Sequence, residues 1–92
     1  MPRVTVELPG MLSGLTGVPR SVPVEADRLD GALTALIARH PVLEVHLFDE
    51  TASLRPHVLC FLNNQNTRWS NAERRPLEDG DTLTFIQAVS GG

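Results

Sequence analysis

Between Asp27 and Pro41 the apolar period of the chain changes once, from two to about 3.6, and that single change limits the fold more than any other feature. Before it, Arg3-Val4-Thr5-Val6-Glu7-Leu8 alternates strictly, with Val4, Val6 and Leu8 on one face, the pattern of a half-buried strand. Pro9-Gly10 ends that strand, and Met11 to Gly17 reads as a glycine-punctuated connection. Arg20-Ser21-Val22-Pro23-Val24-Glu25 alternates again, with Val22 and Val24 inward. Pro23 has no N–H to give a ladder, so this strand is expected to lie at a sheet edge or to leave that position unpaired. Within the helical stretch, Leu29, Leu33, Leu36 and Ile37 share one face. Asp27 is the expected N-cap, Asp30 suits the positive helix start, and Gly31 weakens the first turns slightly. Arg39 and His40 suit the last turn, and Pro41 stops the helix.

After the helix the apolar period returns to that of strands. Val42 to Phe48 is apolar without a clean period and reads as a loop or short turn that plugs the core with Leu43, Leu47 and Phe48. Asp49 to Pro56 is a polar surface loop. His57-Val58-Leu59-Cys60-Phe61-Leu62 is an apolar strand, Asn63-Asn64-Gln65-Asn66 a turn, and Thr67-Arg68-Trp69 a short strand. Leu77 precedes a second turn, Glu78-Asp79-Gly80-Asp81, and Thr82 to Gln87 is the last strand, with Leu83 and Phe85 on one face. A single helix of about three turns covers one face of such a sheet and leaves the other open. With the first pair a hairpin, the first and last strands can lie side by side, central and parallel. The expected fold is α+β: a β-grasp, with a mixed sheet of about four to five strands and one main helix. Residues 1–87 form the domain and 88–92 a flexible tail.

Composition removes several classes of function. Ninety-two residues suit one domain, with no cleft between domains. Eleven acids against eight basic side chains give a net charge of −3, and no basic stripe appears, so nucleic acid is not an expected partner. All eight basic residues are Arg; without lysine, no side-chain amine can accept an isopeptide bond from another copy. Cys60 is the only cysteine, which fits a reducing cytoplasm, and its mid-strand setting reads as a buried thiol rather than a nucleophile. No segment reaches membrane-spanning length, and Met1-Pro2-Arg3-Val4 runs directly into strand-like sequence without a signal segment. His40, His46 and His57 lack metal-ligand spacing, so no metal is expected. The acids of Glu78-Asp79-Gly80-Asp81 read as a turn rather than a catalytic pair.

The end of the chain stands apart. Ala88-Val89-Ser90-Gly91-Gly92 follows the last strand with small residues and closes on two glycines. Such a tail is either a frayed end or a neck narrow enough to thread another protein's channel. A terminal carboxylate is inert until activated. ATP can convert it to an acyl adenylate, and a sulfur donor can then convert that to a thiocarboxylate. A second feature lies on the strands. If Val58, Cys60, Leu62, Leu83 and Phe85 face the core, then Leu59, Phe61 and Ile86 form an apolar patch at the root of the tail. The opposite phase, or a covering loop from 42–56, would remove it.

These residues resemble the MoaD/ThiS family of ubiquitin-like sulfur carriers. Leu77-Glu78-Asp79-Gly80-Asp81-Thr82-Leu83-Thr84-Phe85 matches that family's L-x-D-G-D pattern, and Ala88-Val89-Ser90-Gly91-Gly92 resembles its A/P-V-x-G-G end. His57 to Arg68 resembles its strand-and-turn, with Asn63-Asn64-Gln65-Asn66 in place of a more usual turn, and Ser90 stands where Ala or Thr is commoner. The resemblance implies that Gly92 carries the adenylate and then the thiocarboxylate, with Gly91 as the narrow neck. It implies two partners, a ubiquitin-activating-type adenylating and sulfurtransferase enzyme and a downstream sulfur-accepting enzyme. Ser90, Val89, Ala88, Ile86, Phe61 and Leu59 would meet them. The protein would be a co-substrate, not an enzyme, with no bound cofactor; ATP would be used by the activating enzyme. The loop around Asp49–His57 and the tail look closer to the branch serving cysteine or natural-product biosynthesis than to the thiamin branch. A protein modifier conjugated through Gly92, a molybdopterin-synthase small subunit and a β-grasp binding subunit with an unactivated tail remain alternatives.

Overall fold

A computed structural model describes residues 1–51, 54–67 and 76–87. In chain order the elements are β1 (Arg3–Glu7), α1 (Gly10–Thr16), β2 (Ser21–Glu25), α2 (Leu29–Arg39), α3 (Glu44–Leu47), β3 (Val58–Leu62), β4 (Gln65–Asn66) and β5 (Thr82–Gln87). A single 3-10 turn, Pro41–Leu43, leads into α3. The five strands form one sheet in the order β2-β1-β5-β3-β4. β1 pairs antiparallel with β2 and parallel with β5, and β3 pairs antiparallel with both β5 and β4. This is the expected β-grasp, with the first and last strands central and parallel.

Alternation decides which side of the sheet is core. Val4, Val6, Val22, Val24, Val58, Cys60, Leu62, Leu83 and Phe85 are all buried. They meet Leu29, Ala32 and Leu36 of α2, and Leu43 and Leu47 close the end of the cluster as expected. β2 is an edge strand. The carbonyl of Pro23 accepts from Arg39 Nη1 at 2.8 Å on the outer side, so the missing N–H of Pro23 faces away from the ladder.

Four expectations change. Met11 to Gly17 is not a plain connection: Gly10–Thr16 is a short helix. Its hold on the protein is Leu12, 1% exposed, and Gly17 ends it in the left-handed region at φ 78°. Ser13 Oγ donates to the Val18 carbonyl and Thr16 Oγ1 to the Leu12 carbonyl. The N-cap of α2 is Arg28, not Asp27. Residues 27 and 28 are held against 76 and 77, with Arg28 extended, through the Leu77 N–H to the Asp27 carbonyl at 2.9 Å and the Arg28–Pro76 bridge. The helix therefore starts one residue later. Its buried stripe runs through Leu29, Ala32 and Leu36, so Leu33 and Ile37 are only half-buried at its flank. Finally, Gln65–Asn66 belongs to β4 rather than to the turn, because Asn63 alone supplies the left-handed residue (φ 56°) that reverses the chain. Of the short strand expected at Thr67-Arg68-Trp69, positions 68 and 69 lie outside the described residues.

Candidate functional site

The place where β5 ends is set by what happens where it begins. Gly80 sits at φ 90°, turning the chain into the strand. The Arg3 N–H donates to Asp79 Oδ1 at 2.7 Å, the Gly80 N–H to the Arg3 carbonyl at 3.0 Å, and the Thr5 N–H to the Asp81 carbonyl at 3.0 Å. Asp81 is 8% exposed, and its carboxylate accepts from the Glu78 N–H at 2.9 Å and from Asn63 Nδ2 at 3.0 Å. Asn63 in turn takes the Thr82 N–H on its side-chain oxygen at 3.0 Å and gives its own N–H to the Thr82 carbonyl at 2.8 Å. The Asp79-Gly80-Asp81 motif and Asn63 thus lock β5 to β1 on one side and to the β3–β4 turn on the other. The acids form a turn, as expected, and their work is to fix register.

With register fixed, the far end of β5 is defined. Gln87 stands opposite Val58, Ile86 opposite Leu59, and Thr84 opposite Phe61. The three apolar residues singled out from the sequence are therefore brought together. Ile86 is 43% exposed, and Leu59 and Phe61 are half-buried on the face that α2 does not cover. On this face the apolar area is Leu59 and Phe61 of β3 with Ile86 at the end of β5, and the rest is polar, through Thr82 and Thr84 of β5 to Thr5, Glu7, Ser21 and Glu25 towards the β2 edge. An exposed apolar area at one end of an otherwise polar face is the usual mark of a protein contact. The other predicted site residues, Ala88, Val89, Ser90, Gly91 and Gly92, lie outside the described residues; they continue in sequence from Gln87.

Sequence reasoning missed two residues at this end. Because β1 and β5 run parallel, α1 follows β1 on the same side as the end of β5. Met11 is 74% exposed and Leu15 69% exposed, one helical turn apart on α1. Their spacing across Leu12 was the available signal, hidden by the glycines around it.

Reactive chemistry is not assembled from the described side chains. Among them, no group of three or more His, Cys, Asp or Glu is placed to hold a metal ion. Cys60 is buried with its thiol pushed up to about 11, mainly by burial and only partly offset by a hydrogen bond with Thr67. It faces the core, in the phase opposite to Leu59 and Phe61. No helix among the described residues is long and apolar enough to cross a membrane.

The arrangement has known counterparts. The pattern of the ThiS family matches residues 6–92. The sulfur carrier protein CysO of Mycobacterium tuberculosis is 31% identical over 91 residues, covering 97% of this chain and 98% of that one. Ubiquitin-related modifier 1 of Saccharomyces cerevisiae is 27% identical over 99 residues, covering all of both chains. A chain in the crystal structure of the Amycolatopsis orientalis BexX/CysO complex superposes with a TM-score of 0.79 at 30% identity, covering 97% of this chain and 99% of that one. The lock around Asp81, the apolar end of β5 and the sequence match through Gly92 agree: this chain belongs to the ThiS family, and it is a homologue of the sulfur carrier CysO.

Proposed function

We propose that the protein is a sulfur carrier whose Gly92 carboxylate is loaded by a separate adenylating enzyme. The carboxylate would attack the α-phosphate of ATP, giving an acyl adenylate and releasing pyrophosphate. A sulfur donor at the sulfide or persulfide level would then displace AMP, leaving a thiocarboxylate; a persulfide route also needs a reductant to release the product. The observation that carries this reading is the apolar pair Leu59–Ile86 on the uncovered face, within a family match that spans residues 6–92 and so runs through the tail to Gly92. The sheet offers the partner a docking face, and Ala88 to Gly92 supply the reach into its active site. Five residues extend at most about 17 Å, enough to enter a nucleotide pocket from a docked domain. The likeness to a chain of the BexX/CysO complex supports a partner enzyme for this carrier, and the CysO likeness favours the cysteine or natural-product branch. The buried thiol fits work in a reducing cytoplasm, with ATP used by the activating enzyme and no cofactor held by the carrier.

The test is intact mass. Incubation with a ThiS-type activating enzyme, ATP and a sulfur source is expected to add the mass difference between sulfur and oxygen, located at Gly92. A competent enzyme that loads a control carrier but leaves this chain unchanged would overturn the reading. The likeness to ubiquitin-related modifier 1 supports a second outcome, conjugation of Gly92 to lysines of other proteins. It would appear as adducts in lysate that vanish when Gly92 is deleted.

A further inference from the structure

The helix-covered side of the molecule carries a surface of its own. The buried stripe of α2 uses Leu29, Ala32 and Leu36, which leaves Leu33 and Ile37 half-buried on its flank. Phe48 packs beside them from the end of α3, and together they floor an open groove of about 860 Å³ between α2 and residues 44–50 with Arg55. Val45, 63% exposed, stands at its lip. The groove follows helical spacing along α2, through positions 30, 33, 34, 37 and 38.

Its rim is acidic: Asp30, Glu44, Asp49 and Glu50, with Arg55 the only cation among the lining residues. Arg55 gives its Nε to the Val45 carbonyl at 2.9 Å, and Asp30 has an exposed pairing with Arg28 at 3.7 Å. Glu44 and Glu50 carry no ion pair among the described residues. An apolar floor running at helical spacing between carboxylates fits an amphipathic helix with an apolar stripe and cationic flanks.

We infer that this groove docks a cationic amphipathic helix of a partner protein. It lies on the side of the sheet away from Leu59, Phe61 and Ile86, so a partner held here leaves the tail and its apolar face free. The carrier can then stay attached to one protein while another engages its tail. The inference rests on the groove and not on the chemistry of Gly92.

The experiment titrates the full chain, labelled with nitrogen-15, with a synthetic helical peptide of about four turns carrying a leucine stripe flanked by arginines. Saturable shifts are expected in α2, α3 and Arg55, with affinity in the range of roughly tens of micromolar. Raising salt from about 50 to about 300 mM should weaken binding roughly fivefold. Val45→Lys should abolish binding, and Glu50→Lys should weaken it about tenfold, both with an unchanged thermal midpoint because the side chains are exposed. An otherwise identical peptide with glutamates in place of arginines should not bind. The inference fails if no shifts saturate up to about 1 mM peptide, if both peptides bind alike, or if the shifts centre on Leu59 and Ile86. It also fails if the groove residues shift with protein concentration alone, which would assign the groove to a second copy.

Discussion

The two ends of β5 are built in opposite ways. At its start it is tied by hydrogen bonds: Asp79, Asp81 and Asn63 hold the strand to β1 and to the β3–β4 turn within a few residues. At its end the pairing with β3 continues to Gln87, yet the side chains beside it are apolar and partly exposed. A buried hydrogen-bonded carboxylate is costly to disturb and specifies one register. An exposed apolar pair adds little to the fold and is available to a partner. One end holds the strand in place, and the other presents it.

That contrast can be broken at either end. The largest expected effect is on loading. Deleting Gly92 should abolish thiocarboxylate formation, and Ile86→Asp should slow it by about a hundredfold or more while lowering the thermal midpoint by only a few degrees, because the charge is placed on the uncovered face and not in the core. Intact mass and a melt on the same sample separate the two. Between the ends, the inward face should be chemically silent. With its thiol raised to about 11, Cys60 holds far less thiolate at pH 8 than an exposed cysteine. Alkylation should be slower by about a hundredfold or more, rise with pH, and match free cysteine only in denaturant.

At the locked end the effects are on stability. Asp81→Ala leaves the Asn63 amide and the Glu78 N–H without their partner and should cost about 1–3 kcal/mol in a denaturant titration. Loading of the still-folded fraction should not change. If loading fell with stability intact, the division between the two ends would be wrong. Gly80→Ala should cost about 1 kcal/mol, wholly from the φ of 90°, since its added methyl meets nothing within 4 Å. The smallest effect has the opposite sign. At Gly31 an added Cβ would lie 3.5 Å from the Ala26 methyl, an ordinary contact in a helical position, so Gly31→Ala should stabilise by about 0.5–1 kcal/mol.

Parts of this molecule that follow from local period were legible in advance. Val4, Val6, Val22, Val24, Val58, Cys60 and Leu62 declare their face by alternation, because neighbouring side chains on a strand point to opposite sides. Leu59, Phe61 and Ile86 became candidates as the leftovers of that same alternation, and the burial of Val58, Cys60, Leu62, Leu83 and Phe85 bears out the phase chosen. Elements whose existence depends on packing were not legible. Gly10–Thr16, with three glycines at or next to it, has too little intrinsic preference and too few turns to hold itself, and is a helix because Leu12 is buried.

The amino-acid order by itself therefore determined the strand faces, the one long helix, the acidic turn and the small-residue tail, since each is a matter of spacing along the chain. Tertiary structure alone decided that Arg28 rather than Asp27 precedes α2, that Asp81 and Asn63 share one lock, and that Leu33 and Ile37 are left beside an acidic groove. Those outcomes turn on which distant segment arrives as a neighbour. Spacing within a segment carries no record of that, because a hydrogen bond or a covered methyl across the fold is set by the packing of all the elements at once.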